Sequence, residues 1–330
     1  MERTVCESEE MKKTPWILKV FIAGIAAFIV LNLFSILYYN VPARTAVPDD
    51  STEYKWPANA FHSLATEGLA WGRVNNDGYN NMEDLADDKD IDILVMGSSH
   101  AEGFNVAKDR NIASVLNAIT DRYAYNIGIS EHTLLKCLAN LENALKTYKP
   151  REAVVIETMT VSFYDDEIRA ALSGENRLPT YSGGIMDILQ KMKYLKLVFY
   201  QYNNLKPSSA KGDKALNDEE LLNDILSRAA ELCTQRDVEL IIVFHPTLSV
   251  DNEDNITTSY SREDAKLLEK VCMDNGITFI NMEDDFREYY LSEHKLPHGF
   301  NNTVPGQGHL NETGHMLMAY AVKDVLEVND

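Results

Sequence analysis

Residues 20–39, VFIAGIAAFIVLNLFSILYY, form an uncharged apolar run in which only Asn32 and Ser35 are strongly polar. At about 1.5 Å rise per residue, twenty helical residues span about 30 Å, the thickness of a bilayer's hydrocarbon core. Trp16 on one side and Tyr38 and Tyr39 on the other suit the aromatic belts at the two interfaces. Arg3, Lys12, Lys13 and Lys19 precede the run, whereas only Arg44 and Lys55 follow closely. That basic bias predicts a cytoplasmic tail over 1–15, a transmembrane anchor over 16–40 and an extracytoplasmic remainder. A cleaved signal peptide is the alternative. The run is longer than a usual signal core, and no small-x-small site stands near Val41, so the pattern favours an uncleaved anchor.

Residues 41–90 read as an extended, Pro- and Asp-punctuated linker, with a loop at VNNDGYNN over 74–81. From Ile91 the pattern changes to short apolar runs alternating with helical stripes. Strands are predicted at 91–96, 123–127, 153–157, 240–244 and 278–280. Helices are predicted at 111–120, 262–274 and from about Asn311 onward. Two more are marked by the stripes Leu134, Leu138, Leu141, Leu145 and Leu221, Ile225, Ala229, Leu232. A helical insertion falls at about 160–218, with one piece at 184–203. The stretch 191–202, three lysines among aromatic residues, reads as an amphipathic helix with a lid or partner surface as the alternative. This βα alternation implies an α/β domain over 91–330, a central parallel sheet covered on both faces.

Composition changes the picture in two ways. A formal net charge of -20 with no compensating Lys/Arg stripe opposes nucleic-acid binding. Four cysteines (Cys6, Cys137, Cys233, Cys272) show no Cys-x-x-Cys spacing, which argues against a zinc ribbon or a redox motif, and leaves a Cys233–Cys272 bridge open.

In a parallel sheet the chemistry sits at the carboxyl ends of the strands. Gly97-Ser98-Ser99-His100 follows the first strand and Asn126-Ile127-Gly128 ends the second, while Gly308-His309-Leu310-Asn311-Glu312-Thr313-Gly314 precedes the last helix. A serine hydroxyl needs an adjacent base to attack an ester, and His309 is placed to be that base for Ser99. The backbone N–H groups of Ser99 and Gly128 are the candidate oxyanion donors. Taken alone, a Gly-Ser-Ser turn is a helix cap and a lone His309 is a structural imidazole. Their joint order favours catalysis. His100, Asn126, Thr158, His245 and Asn311 are further candidate pocket residues; His245-Pro246 also reads as a plain structural turn, and His315 as scaffold.

This order of Gly-x-Ser, Gly and His-x-Asn-x-x-Gly resembles the SGNH/GDSL hydrolase superfamily. The resemblance implies a three-layer, flavodoxin-like α/β domain preceded here by one transmembrane helix. Gly-Ser-Ser in place of Gly-Asp-Ser, together with the anchor, is similar to exported acyl-transfer proteins of lipoteichoic-acid D-alanylation and alginate O-acetylation. Asp77-Gly78-Tyr79-Asn80-Asn81 is similar to a loop of such domains. The implied function is a serine esterase or O-acyltransferase acting on acyl esters of a cell-envelope or secreted polysaccharide, with a multi-spanning membrane acyltransferase as partner. No cofactor or metal is required for transfer through a serine ester.

Two positions depart from the family's pattern. The acid expected three residues before His309 is Gly306, so another acid must orient the imidazole or Ser99 and His309 act as a dyad. The third block, Glu157-Thr158-Met159-Thr160, lacks the family's oxyanion Asn, leaving Thr158 as a substitute donor. Both departures keep open a non-catalytic glycan-binding or scaffold domain.

Overall fold

The computed structural model describes residues 15–42, 45–46, 54–173, 197–198, 218–251, 253 and 255–328. Contacts divide the chain into two units, Met1–Asn40 with Gly183–Ser208, and Val41–Ser182 with Ser209–Asp330. In the first unit, helix α1 (Trp16–Tyr38) covers the apolar run. Nearly all its side chains are exposed. A surface this apolar is stable only in a non-aqueous setting or against a partner. Its length and composition suit a membrane span, and equally a signal sequence. The stretches predicted at 184–203 and 191–202 lie outside the described residues, apart from Leu197 and Val198.

In the second unit, after a two-residue antiparallel pairing of Thr45–Ala46 with Tyr54–Lys55, comes the antiparallel hairpin β1 (Phe61–Leu64) and β2 (Ala70–Arg73). There follow β3 (Ile93–Met96), β4 (Ala124–Asn126), β5 (Ala153–Thr158) and β6 (Glu239–Phe244). A second hairpin, β7 (Leu248–Val250) with β8 (Ile256–Thr258), precedes β9 (Thr278–Asn281). Five strands form one parallel sheet in the order β9-β6-β5-β3-β4. Renumbered along the chain this is the flavodoxin-like order 2-1-3-4-5, whose switch point lies between β3 and β5.

The strand alternation sorts side chains onto two faces. Ile93, Val95, Val155, Ile241 and Val243 pack with Ile112, Leu116, Met318 and Val322. The latter four lie on α3 (Ile112–Ile119) and α9 (Glu312–Val328), with α2 (Ser99–Glu102) preceding them in the chain. On the opposite face Leu94, Tyr125, Val154, Ile156, Ile242 and Phe244 meet α4 (Leu134–Tyr148), α5 (Asp165–Ser173), α6 (Glu219–Thr234) and α7 (Arg262–Asp274). The leucine stripe predicted for α4 is buried along its length. The result is the three-layer α/β architecture implied by the strand–helix rhythm.

Three details differ from the pattern. Strand β3 starts at Ile93 because Asp92 turns aside to accept the Tyr123 N–H at 2.7 Å and the Arg151 Nε at 3.0 Å. The helix α8 (Glu283–Glu293) carries too few apolar residues to show a stripe; Phe286 is its one fully buried hydrophobe. The loop at 74–81 is an organiser rather than a spacer. Asn75 and Asp77 bond the Tyr125 hydroxyl at 2.8 and 2.7 Å, and Asn81 exchanges two hydrogen bonds with the Asn126 backbone. Cys137, Cys233 and Cys272 are buried free thiols, so no Cys233–Cys272 bridge forms.

Candidate active site

Strand β3 ends at Met96, and Gly97 turns the chain into α2, with Ser98 as its N-cap and Ser99 as its first residue. Ser99 is half-buried. Across from it, the loop before α9 presents His309, whose Nε2 lies 2.9 Å from Ser99 Oγ. Residues 210 positions apart thus meet in a hydrogen bond at the carboxyl ends of the strands.

The acid that orients His309 is Glu67, in the turn between β1 and β2. Its Oε2 stands 2.6 Å from His309 Nδ1, and its Oε1 accepts the His309 backbone N–H at 2.6 Å. Asn105 donates to the Glu67 carbonyl at 3.0 Å, and Asn302 clamps the turn by donating to the Ala65 and Gly68 carbonyls at 2.9 Å. Gly308 makes the approach sterically feasible: at φ +86°, a Cβ there would stand 2.1 Å from Glu67 Oε1. Burial pushes the Glu67 carboxyl up, yet the His309 ring and backbone N–H outweigh it and hold Glu67 below its ordinary value. An ionised Glu67 accepts a hydrogen bond from the Nδ1–H, which keeps the ring proton on that nitrogen. The Nε2 lone pair then faces the Ser99 hydroxyl, the tautomer a general base needs.

The expected second oxyanion donor is spent elsewhere. Gly128 donates its N–H to Asn126 Oδ1 at 2.8 Å, and Asn126 Nδ2 donates to the Ala101 carbonyl at 2.7 Å. Asn126 is therefore a buried brace for the nucleophile turn rather than a pocket group. Thr158 donates its hydroxyl to the Thr160 carbonyl at 2.9 Å, so it does not replace the family's Asn. Asn311 caps α9, accepting the Thr313 and Gly314 N–H groups. His245 is fully buried, bonded to Glu157 rather than lining an open cleft.

His100 lies beside His309. Its ring packs 4.9 Å from that of His309 and 4.7 Å from that of His245, and its Nδ1 accepts the Leu310 N–H at 3.1 Å. Burial, then the neighbouring imidazoles, drives its pKa well below the ordinary value and keeps it neutral. His298 stands 3.1 Å from His245 and is likewise held neutral by burial.

His100, His245 and His298 bring ring nitrogens within 4.8 Å of one another, the one set of metal-ligating side chains among the described residues. The donor chemistry fits a metal poorly. Accepting from Leu310 leaves the His100 proton on Nε2, and His245 Nε2 is engaged with Glu157 at 2.6 Å. A neutral ring has one lone pair; that of His100 faces Leu310, and His245 Nδ1 and His298 Nε2 share a hydrogen bond at 3.1 Å, so the set does not offer three free lone pairs. A cavity lined by Asp88, Asp90, Asp92, Arg122 and Arg151 opens at the amino ends of β3 to β5, away from Ser99.

Glu67, Glu157 and His298 were not singled out from the sequence. Glu67 sits 242 residues before His309 with no motif around it. Glu157 lies inside the third block, one position before Thr158, and a carboxylate there matches no part of the motif.

No protein family and no curated protein matches the sequence. Solved structures with a similar arrangement include a two-domain esterase active on acetylated mannans, at 13% identity and a TM-score of 0.41, over 72% of this chain and 49% of that one. A putative arylesterase from Agrobacterium tumefaciens str. C58 is 13% identical, with a TM-score of 0.40, over 72% of this chain and 98% of that one. A lipolytic G-D-S-L family protein from Veillonella parvula DSM 2008 is 20% identical, with a TM-score of 0.40, over 71% and 97%. At that distance the likeness does not reach function.

Proposed function

We propose that the chain is a membrane-anchored, extracytoplasmic serine esterase or O-acyltransferase acting on acyl esters, acetyl among them, of a cell-envelope or secreted polysaccharide. The observation that carries the reading is the hydrogen-bonded series Ser99 Oγ, His309, Glu67. Ser99 Oγ attacks the ester carbonyl as its proton passes to His309 Nε2, and Glu67 stabilises the imidazolium. The carbonyl oxygen becomes an oxyanion facing the Ser99 N–H, which has no acceptor among the described residues. His309 returns the proton to the leaving alkoxide, and an acyl-Ser99 ester remains. Water or a sugar hydroxyl then gives its proton to His309 and takes the acyl group, which regenerates Ser99. Half-burial of Ser99 and a His309 ring 31% exposed leave room for either acceptor.

The sugar substrate, the superfamily and a multi-spanning acyltransferase partner rest on the motif resemblance. The anchor and its orientation rest on α1 and the basic residues before it. A non-catalytic glycan-binding domain is the second reading, favoured by the spent Gly128 amide. Turnover of an aryl acetate by the full chain in detergent separates the two. Ser99→Ala and His309→Ala should each lower kcat by about a thousandfold or more. Equal rates in wild type and Ser99→Ala would leave the non-catalytic reading.

A further inference from the structure

The site contains a second carboxylate–imidazole pair that the reaction does not consume. Glu157, at the end of β5, is 1% exposed and cannot touch a substrate. A buried carboxylate is costly unless its lone pairs are filled. Here they are. Oε2 accepts the Ser98 N–H and hydroxyl, both at 2.8 Å, and the Ala101 N–H at 3.3 Å. Oε1 meets His245 Nε2 at 2.6 Å, and His245 Nδ1 meets His298 Nε2 at 3.1 Å. A Cβ on Gly97 would stand 2.6 Å from Glu157 Oε2, so the glycine clears the path for these contacts.

The backbone donors of the nucleophile turn can be followed one by one. Ser98 and Ala101 donate to Glu157, and His100 donates to Ser98 Oγ at 3.3 Å. Glu102 donates to the Ser98 carbonyl at 2.9 Å and Gly103 to the Ser99 carbonyl at 3.1 Å. Among the backbone N–H groups of residues 98–103, the Ser99 N–H is the one with no acceptor among the described residues. It is also the one oxyanion donor the turn can offer, because Gly128 and Thr158 are committed elsewhere.

On the serine acyl-transfer reading, we infer that Glu157 is a positioning residue that acts through Ser98 and Ala101 to aim the Ser99 N–H and Oγ, with His245 holding its second oxygen. Ser98 is then part of the device, although the nucleophile motif alone makes it expendable. Burial opposes ionisation of Glu157, but bonds from His245 and Ser98 overcome it and hold the carboxyl below its usual value.

The test compares Glu157→Gln, Glu157→Met and Ser98→Ala in the full chain in detergent, with kcat, KM and thermal midpoint measured on an aryl acetate. Glu157→Gln keeps an oxygen for the Ser98 and Ala101 donors, so it should lose about tenfold in kcat. Glu157→Met fills the same space without an acceptor and should lose about a hundredfold or more, the scale of a misplaced oxyanion donor. Ser98→Ala should lose about tenfold. In all three KM should stay within about twofold, because no ground-state contact to substrate is removed. A folded Glu157→Met enzyme with kcat within threefold of wild type would overturn the inference. If Glu157→Met does not fold, Ser98→Ala decides: an unchanged kcat overturns it, and a loss confined to kcat supports it. Wild-type protein without turnover would instead sink the serine reading itself.

Discussion

At the residue scale, the site depends on which groups are already spoken for. A short motif marks Ser99 and His309 each, and the strand order is enough to predict that the two side chains come together, as they do at 2.9 Å. Glu67 was not legible, since an acid in a hairpin turn has no local signature and only the folded chain brings it to His309. Gly306, where the family places its acid, instead makes a tight turn at φ +79° against the Leu248 carbonyl. Glu67→Gln tests the role directly. The amide can donate to His309 Nδ1 and so turn the Nε2 proton towards Ser99, the wrong tautomer for a base. A kcat loss of about a hundredfold to ten-thousandfold is expected with the fold kept, from the precedent of triad acids. A loss under threefold would show that Ser99 and His309 work as a dyad.

At the element scale, periodicity carried most of the fold. Short apolar runs gave the parallel strands to within one or two residues, because strands buried on both faces leave no polar alternation to misread. The hairpins β1–β2 and β7–β8 and helix α8 were missed for the opposite reason: their strands are only three or four residues long and their apolar positions are few. Strand β3 is the keystone, since it pairs with β4 and β5 and delivers Ser99. Val95 on it is fully buried between paired strands. Val95→Asp puts an unpaired carboxylate into that core and should cost about 4 kcal/mol or more. A thermal midpoint within a few degrees of wild type would contradict the burial of β3.

At the scale of the whole molecule, the buried histidines make stability depend on pH. Burial, followed by the charge of Lys108, lowers His62 to about 4, and burial with His245 lowers His315 to about 3. His100 and His298 shift the same way. These groups stay neutral in the fold but charge in the unfolded chain, so the unfolded state binds more protons below about pH 6.5. Stability is therefore full above that value and falls as pH drops towards 4, each group contributing a slope of up to about 1.4 kcal/mol per pH unit. Glu67 and Glu157, held below their usual values, add losses in the same direction at lower pH. Thermal midpoints should fall steadily from pH 7 to pH 5, and His62→Leu should flatten the decline. A midpoint that is constant or rises on acidification would contradict the neutral cluster. The central claim remains the nucleophile, and covalent labelling reads it without choosing a substrate. The full chain in detergent, treated with a fluorophosphonate and digested for mass spectrometry, should carry the adduct on Ser99, with labelling slowed about a hundredfold or more in His309→Ala. An adduct on any other serine, or a folded wild-type protein that takes no label, would contradict it.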